Sequence, residues 1–226
     1  MSITLIIVII TCAISIPAFS NQKMIDDLIF YPPAVSKRNQ YYRFVSHALI
    51  HADIPHLAFN MIALYSFGGL IEKVFSLDCI FGSRGKVIYI LLYLFGAIAA
   101  ILPTYFKNRD NYAYRSLGAS GAVSAIVFAG LVIYPQLPVQ IMFIPIDIPG
   151  FVFGPAFLII SAVLDKRQGG RVNHSAHFWG AAFGFLFILL LCYKTSNLNV
   201  IENFKNQLNS YSWKRASLAP LDCDYK

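Results

Sequence analysis

Residues 117–134 read LGASGAVSAIVFAGLVIY, a run without a charge that stops at Pro135. It approaches the roughly 20 apolar residues that a helix needs to cross a hydrocarbon core, and proline cannot continue such a helix. Working outward, apolar segments recur at 3–19, 54–75, 87–106, 148–164 and 176–193. Six segments of ~20 residues account for about half the chain. Charges collect between them: Lys37, Arg38 and Arg43; Arg84 and Lys86; Lys107, Arg109 and Arg115; Lys166, Arg167 and Arg171. The expected fold class is an all-α membrane protein, a bundle of six transmembrane helices over 1–194. A polar C-terminal tail follows at 195–226.

Three segments need separate readings. The first has the length of a signal peptide, but it lacks a positive n-region. Pro17-Ala18-Phe19-Ser20 is also a poor cleavage site, so it reads as a retained span. The apolar, proline-broken stretch 139–149, with Pro145, Pro149 and then Pro155, reads as a bent fifth helix or as a re-entrant loop with a late helix start. Gly169-Gly170 gives the loop before the sixth segment the freedom of a lid.

Composition agrees. The 226 residues are 57% hydrophobic and 13% charged, against roughly 45–50% and about 25% in soluble domains. This excludes a disordered or nucleic-acid-binding tail protein and argues against a water-soluble globule. The net charge of +7 suits an anionic membrane surface better than nucleic acid. Lys and Arg divide almost evenly between the two sides of a six-span arrangement, so the positive-inside rule does not orient it. Cys12, Cys79, Cys192 and Cys223 show no CxxC and no paired spacing, and indicate neither a disulfide framework nor a zinc site.

Strongly polar groups in membrane helices are costly and tend to be functional. Here they share a geometry. His56 and Asn60 lie at i, i+4 near the start of the second segment, on one helix face. Ser120 lies near the start of the fourth and His177 near the start of the sixth. These even-numbered helices run the same way, so their N-terminal ends share one side and one shallow depth. Gly180-x-x-x-Gly184 is a small face that lets backbones approach, and Ser120 with Ser124, or Gly121 with Ala125, offers it a match. Close approach is what a serine activated by an imidazole requires. His177 is then the candidate base, and later the acid that protonates the leaving amine. His56, Asn60 and the Ser120 amide are candidate donors to an oxyanion. No membrane carboxylate is placed to orient His177, so the pair is a dyad.

Taken in order and spacing, four strings carry a resemblance. They are His47-Ala48-Leu49-Ile50-His51, His56-Leu57-Ala58-Phe59-Asn60-Met61, Gly118-Ala119-Ser120-Gly121-Ala122, and Ala176-His177-x-x-Gly180-x-x-x-Gly184. Together they resemble the rhomboid intramembrane serine proteases, over about residues 41–185 plus the leading span. The resemblance implies a six-helix bundle with Ser120 as nucleophile and His177 as general base. It implies an oxyanion site of His56, Asn60 and Ser120, with His51, Gly118, Gly121, Gly180, Gly184, Arg43 and Glu72 in structural support. It implies that loop 21–45, with Tyr42-Arg43, lies partly in the membrane interface. It also implies transmembrane protein substrates, no cofactor and no metal, a cytoplasmic N-terminus, and a site opening outward from a bacterial cytoplasmic membrane. Two departures stand out. Tyr42-Arg43 replaces a frequent Trp-Arg, and Ser124 stands where many members carry a tyrosine that stacks on the catalytic imidazole. Either His177 is held less firmly, or another aromatic such as Phe178 or Phe153 takes that place.

Other readings remain beside this one. Ser120 alone is a helix-packing serine, and His177 alone is a partner for a backbone carbonyl. His47 and His51, at i, i+4, form a metal pair or a structural cluster beneath loop 21–45, and the missing third ligand favours the cluster. His174 reads as solvated. At the level of function, one alternative is a catalytically inactive, derlin-like relative that binds membrane clients. Another is a haem or metal protein using His51, His56 and His177, which leaves the surroundings of Ser120 unexplained.

Overall fold

The computed structural model describes residues 1–141, 144–166, 173–211 and 221. Helix α1 (Ile3–Ala18) is capped by the Ser2 hydroxyl, which accepts from the Leu5 amide. Loop 21–45 is folded into three short helices, α2 (Gln22–Leu28), α3 (Pro32–Arg38) and α4 (Arg43–Ser46). Next, α5 (Ile54–Ala63), a π-helical turn at Leu64–Gly68 and α6 (Gly69–Phe75) run on as one helix of 22 residues. α7 (Gly85–Lys107) and α8 (Ser120–Ile133) follow, then the antiparallel strands β1 (Pro138–Ile141) and β2 (Ile144–Pro149), then α9 (Gly150–Lys166), α10 (His174–Thr195) and α11 (Val200–Asn209).

Among the described residues, three helices are long and apolar enough to cross a membrane: Ile54–Phe75, Gly82–Lys107 and His174–Thr195. Three further apolar helices, Ile3–Ala18, Ser120–Ile133 and Gly150–Asp165, are shorter. α8 is the hub, with every residue from Gly121 to Ile133 buried. It packs chiefly on α10 and α7. A methyl at Gly180 would collide with the Gly121 carbonyl, and one at Gly184 with the Ala125 carbonyl. A methyl at Gly121 would meet Ala100 of α7. The partner of the Gly180–Gly184 face is thus Gly121 with Ala125. Lipid supplies no hydrophobic drive between helices, and this backbone proximity supplies the dispersion contacts that hold them.

The π turn sets a phase. At ~100° per residue, a regular helix would leave Asn60 and Glu72 about 120° apart; a slip of about one residue brings them within about 20°. Both side chains are buried. Glu72 accepts from the Ser2 hydroxyl (2.5 Å), the Ile3 amide (2.8 Å), and the Thr4 amide (3.0 Å) and hydroxyl (2.9 Å). The carboxylate thus closes the N-terminus of α1, where unpaired N–H groups and the helix dipole favour an anion.

Several expectations are corrected. The fourth segment becomes helical at Ser120 rather than 117, because Gly118 has φ +110° and ends any helix before it. The sixth starts at His174 rather than 176, because the Asn173 side chain caps it by accepting from the Ala176 amide at 3.1 Å. Residues 138–141 and 144–149 pair as antiparallel strands rather than forming a bent helix or re-entrant loop, and the fifth helix starts late, at Gly150. Val139 pairs with Ile148 and Gln140 with Asp147, so the fold is not purely α. The prolines permit this because Pro138 and Pro149 face each other at the open end of the pair. Cys79 is disulfide-bonded, whereas Cys12 and Cys192 are free. A disulfide depends on proximity in the fold, which spacing along the chain does not report. The tail contains α11, and both Asn203 and Gln207 donate to the Ile133 carbonyl at the end of α8 (2.8 and 3.0 Å). Gly169-Gly170 lies outside the described residues.

Candidate active site

The approach to α8 is non-helical, and its buried backbone groups need partners. Phe30 and Ser116 exchange two backbone hydrogen bonds (2.9 and 3.1 Å), and the Gly118 amide donates to the His47 carbonyl at 2.9 Å. The Ala119 amide donates to Nε2 of His51 at 3.3 Å. Accepting on Nε2 places the proton of a neutral His51 on Nδ1, which faces the Ser15 hydroxyl of α1 at 3.2 Å. His51 thus ties α1 to the residue before Ser120. Burial, then the neighbouring His56 and His47, push the pKa of His51 down to about 3. Burial pushes that of His47, whose ring meets Phe30 edge-on at 5.9 Å, down to about 4. Both histidines are therefore neutral, His47 against Phe30 of loop 21–45 and His51 against His56.

That loop is pinned by Arg43, which is buried. It donates to Gln40 Oε1 (2.7 Å) and to the Asp26 (2.8 Å) and Ile29 (2.6 Å) carbonyls. A guanidinium offers several donors in one plane, so one side chain can tie the end of α2 to the start of α4.

Ser120 is the first residue of α8, and its Oγ lies 2.7 Å from Nε2 of His177. His177 comes from the first turn of α10, set by Asn173. Besides capping the helix, Asn173 donates through Nδ2 to the Tyr114 hydroxyl (3.0 Å) and Ser116 Oγ (3.2 Å). It fastens the start of α10 to the strand-like segment leading into Ser120. The sequence reading missed this residue, although a single Asn before an apolar helix is an N-cap signal.

His56 stands in the first turn of α5, where Asp53 accepts from its amide at 2.8 Å. Its Nδ1 faces the Ala52 amide at 3.4 Å, which leaves Nε2 as the protonated nitrogen of the neutral ring. That Nε2 would lie 2.9 Å from a Cβ built at Gly118. Asn60 is buried one turn on, and one of its two amide hydrogens reaches the His56 carbonyl at 2.9 Å. The His56 ring therefore meets the segment entering α8, beside a serine hydroxyl held on an imidazole, and Asn60 is tied to the His56 carbonyl one turn on. Such an arrangement can host a nucleophile, a base and donors to a developing negative oxygen.

The ring stacked on His177 is Phe157 of α9, at 6.1 Å between centroids and 26° between planes. This corrects the expectation of Phe178 or Phe153. Phe178 meets Trp179 instead, and Phe153 lies behind Phe157 at 5.6 Å. His174 is half-buried rather than solvated, with its edge toward His177 at 5.8 Å. Among the described residues, no group of three or more His, Cys, Asp or Glu is placed to hold a metal ion.

Comparison with known proteins adds an independent line. A family model described as "Rhomboid domain" matches residues 38–194. "RHOMBOID-like protein 12, mitochondrial" of Arabidopsis thaliana is 30% identical over 153 residues, which cover 65% of this chain and 45% of that protein. "Rhomboid protease GlpG" of Haemophilus influenzae is 27% identical, covering 71% of this chain and 79% of the relative. "Putative rhomboid protease YdcA" of Bacillus subtilis is 25% identical, covering 80% and 81%. The match thus runs from α4 to α10, the part that carries the Ser120–His177 pair.

Proposed function

The chain belongs to the rhomboid family, and on that premise we propose that it is an intramembrane serine endopeptidase. It is a multi-pass membrane protein, and we read all six apolar helices as spans. The single observation that carries the reading is the 2.7 Å contact between Ser120 Oγ and His177 Nε2. A hydroxyl at that distance from a neutral imidazole nitrogen can pass it a proton as the oxygen attacks.

The reaction then runs as acyl transfer. Ser120 Oγ bonds to the scissile carbonyl carbon while His177 Nε2 takes its proton. The carbonyl oxygen becomes an oxyanion, met by the Ser120 amide, His56 Nε2–H and the free amide hydrogen of Asn60. The first-turn amides of α8 have no intrahelical partner and so can donate there. His177 returns the proton to the leaving nitrogen, the peptide bond breaks, and an ester to Ser120 remains. Water, deprotonated by His177, cleaves that ester and regenerates the hydroxyl.

Position follows from length. The 14 residues of α8 span ~21 Å, short of a ~30 Å hydrocarbon core. Entering α8 through a non-helical segment sinks Ser120 below one surface, and backbone of that kind is tolerated at depth only where protein or a wet cavity surrounds it. Substrates are transmembrane helices, whose amides are hydrogen-bonded and sterically closed until they unwind. Segments with Gly, Pro or polar residues near one end are therefore favoured. The site is read as opening to the extracytoplasmic side of a bacterial cytoplasmic membrane. That side and that membrane are carried over from the family resemblance.

The test is labelling by a fluorophosphonate and cleavage of a transmembrane test substrate in detergent. Both are expected in the parent chain and lost in Ser120→Ala and His177→Ala. Cleavage retained in Ser120→Ala refutes the reading, and a folded parent that never labels leaves the inactive, client-binding relative in its place.

A further inference from the structure

We propose that Phe157 is a positioning residue for His177, one that holds the imidazole plane from a third helix. The inference rests on the peptidase reading. Among the described residues, His177 makes one hydrogen bond, through Nε2 to Ser120. A histidine χ2 is a broad torsion, so a ring held at one nitrogen can still swing its plane about Cβ–Cγ. Packing has to fix that plane.

Two groups supply it. His174, one turn earlier on the same helix, presents an edge at 5.8 Å and 85°. Phe157 covers a face of the ring, near-parallel at 26°. Phe157 is itself braced by Phe128 of α8 (5.6 Å, 49°) and by Phe153, one turn back on α9 (5.6 Å, 32°). Gly154 of α9 also lies against this ring: a methyl there would be in ordinary contact with Phe128 at 3.7 Å. Phe128, Phe157 and His177 thus form an aromatic row across α8, α9 and α10. Offset stacking of this kind restrains orientation beyond the area it buries. A swing of the imidazole mis-aims Nε2 at the Ser120 proton. That loss falls on the chemical step, because the proton moves in the transition state.

The test is kcat and KM for cleavage of a transmembrane substrate, with the thermal midpoint measured alongside. Phe157→Leu keeps bulk but removes the flat face; Phe157→Tyr keeps the face. Phe157→Leu is expected to lower kcat about tenfold or more while KM stays within about twofold, since small misplacements cost rate steeply. Phe157→Tyr is expected to stay near the parent, and the midpoints of both to change little. Ser124 lies one turn after Ser120 on the same face of α8. Ser124→Tyr in a Phe157→Ala chain is therefore expected to recover kcat, by supplying an aromatic from the Ser120 face of α8. An active parent whose Phe157→Leu variant keeps full kcat overturns this proposal alone. So does a loss that tracks melting and is not recovered by Ser124→Tyr. A parent that neither labels nor cleaves overturns the peptidase reading and this one with it.

Discussion

A Cβ built on Gly118 would lie 2.7 Å from Cε1 of His56, and the glycine holds φ +110°. Both facts forbid a side chain. The backbone conformation alone costs a non-glycine residue about 1–3 kcal/mol, and the collision displaces the imidazole that faces the proposed oxyanion position. Gly118→Ala is therefore expected to lower kcat by at least about tenfold, with His56 pushed aside. Cleavage assays set against the melting midpoint check it, and a fully active Gly118→Ala chain contradicts it.

Asn173 makes the second prediction. Replacing it by alanine removes an N-cap, worth about 0.5–2 kcal/mol. It also removes the two links to Tyr114 and Ser116. Asn173→Asp keeps the cap acceptor and loses the links. Asn173→Ala is expected to lower both the melting midpoint and kcat. Asn173→Asp is expected to recover the midpoint better than kcat, because only the links set α10 against the segment leading to Ser120. Equal recovery of both by Asp would contradict that division.

Much of this arrangement is legible in the residues, and the part that is not has a physical cause. Uncharged runs report helices wherever a chain must satisfy its backbone in lipid, and Ser120, His177, His56 and Asn60 stand out by being polar there. Gly180 and Gly184 announce close packing, and Gly121 with Ala125 answers it. Phe157 is different. It is one aromatic among many, and only the crossing of α9 on α10 selects it over Phe153 and Phe178. The strand pair 138–141 and 144–149 is hidden because its prolines mask the alternation that marks a strand. α11 looks like solvated tail because Asn203 and Gln207 are polar; their burial follows from the open carbonyl of Ile133. Asn199, which accepts from the Glu202 amide at 3.2 Å, was a readable start signal for that helix.

Glu72 carries the third prediction. Four donors from Ser2, Ile3 and Thr4 converge on its carboxylate. Glu72→Gln keeps the shape but replaces one acceptor oxygen with a donor facing donors. A hydrogen bond to a charged group contributes about 1.5–3 kcal/mol, so α1 loses its tether at that end. The expected result is a lower melting midpoint in detergent, with kcat of the molecules still folded near the parent's. An unchanged midpoint would mean that α1 is held elsewhere.

The last prediction concerns pH. His47 and His51 are buried and neutral, with pKa values lowered to about 4 and about 3. An unfolded histidine titrates near about 6.5. Below that value the unfolded chain takes up protons that the folded chain refuses, so it gains relative to the folded one as pH falls. Both histidines therefore contribute stability that is fully present above about pH 6.5. That stability declines as the medium is acidified toward the folded values and is lost below them. The melting midpoint in detergent is expected to be flat from pH 8 to 7 and to drop between pH 6 and 4. His47→Phe, which keeps a ring beside Phe30 and removes the titration, is expected to make that drop shallower. A midpoint in His47→Phe that falls as steeply as the parent's would assign the acid sensitivity to other groups.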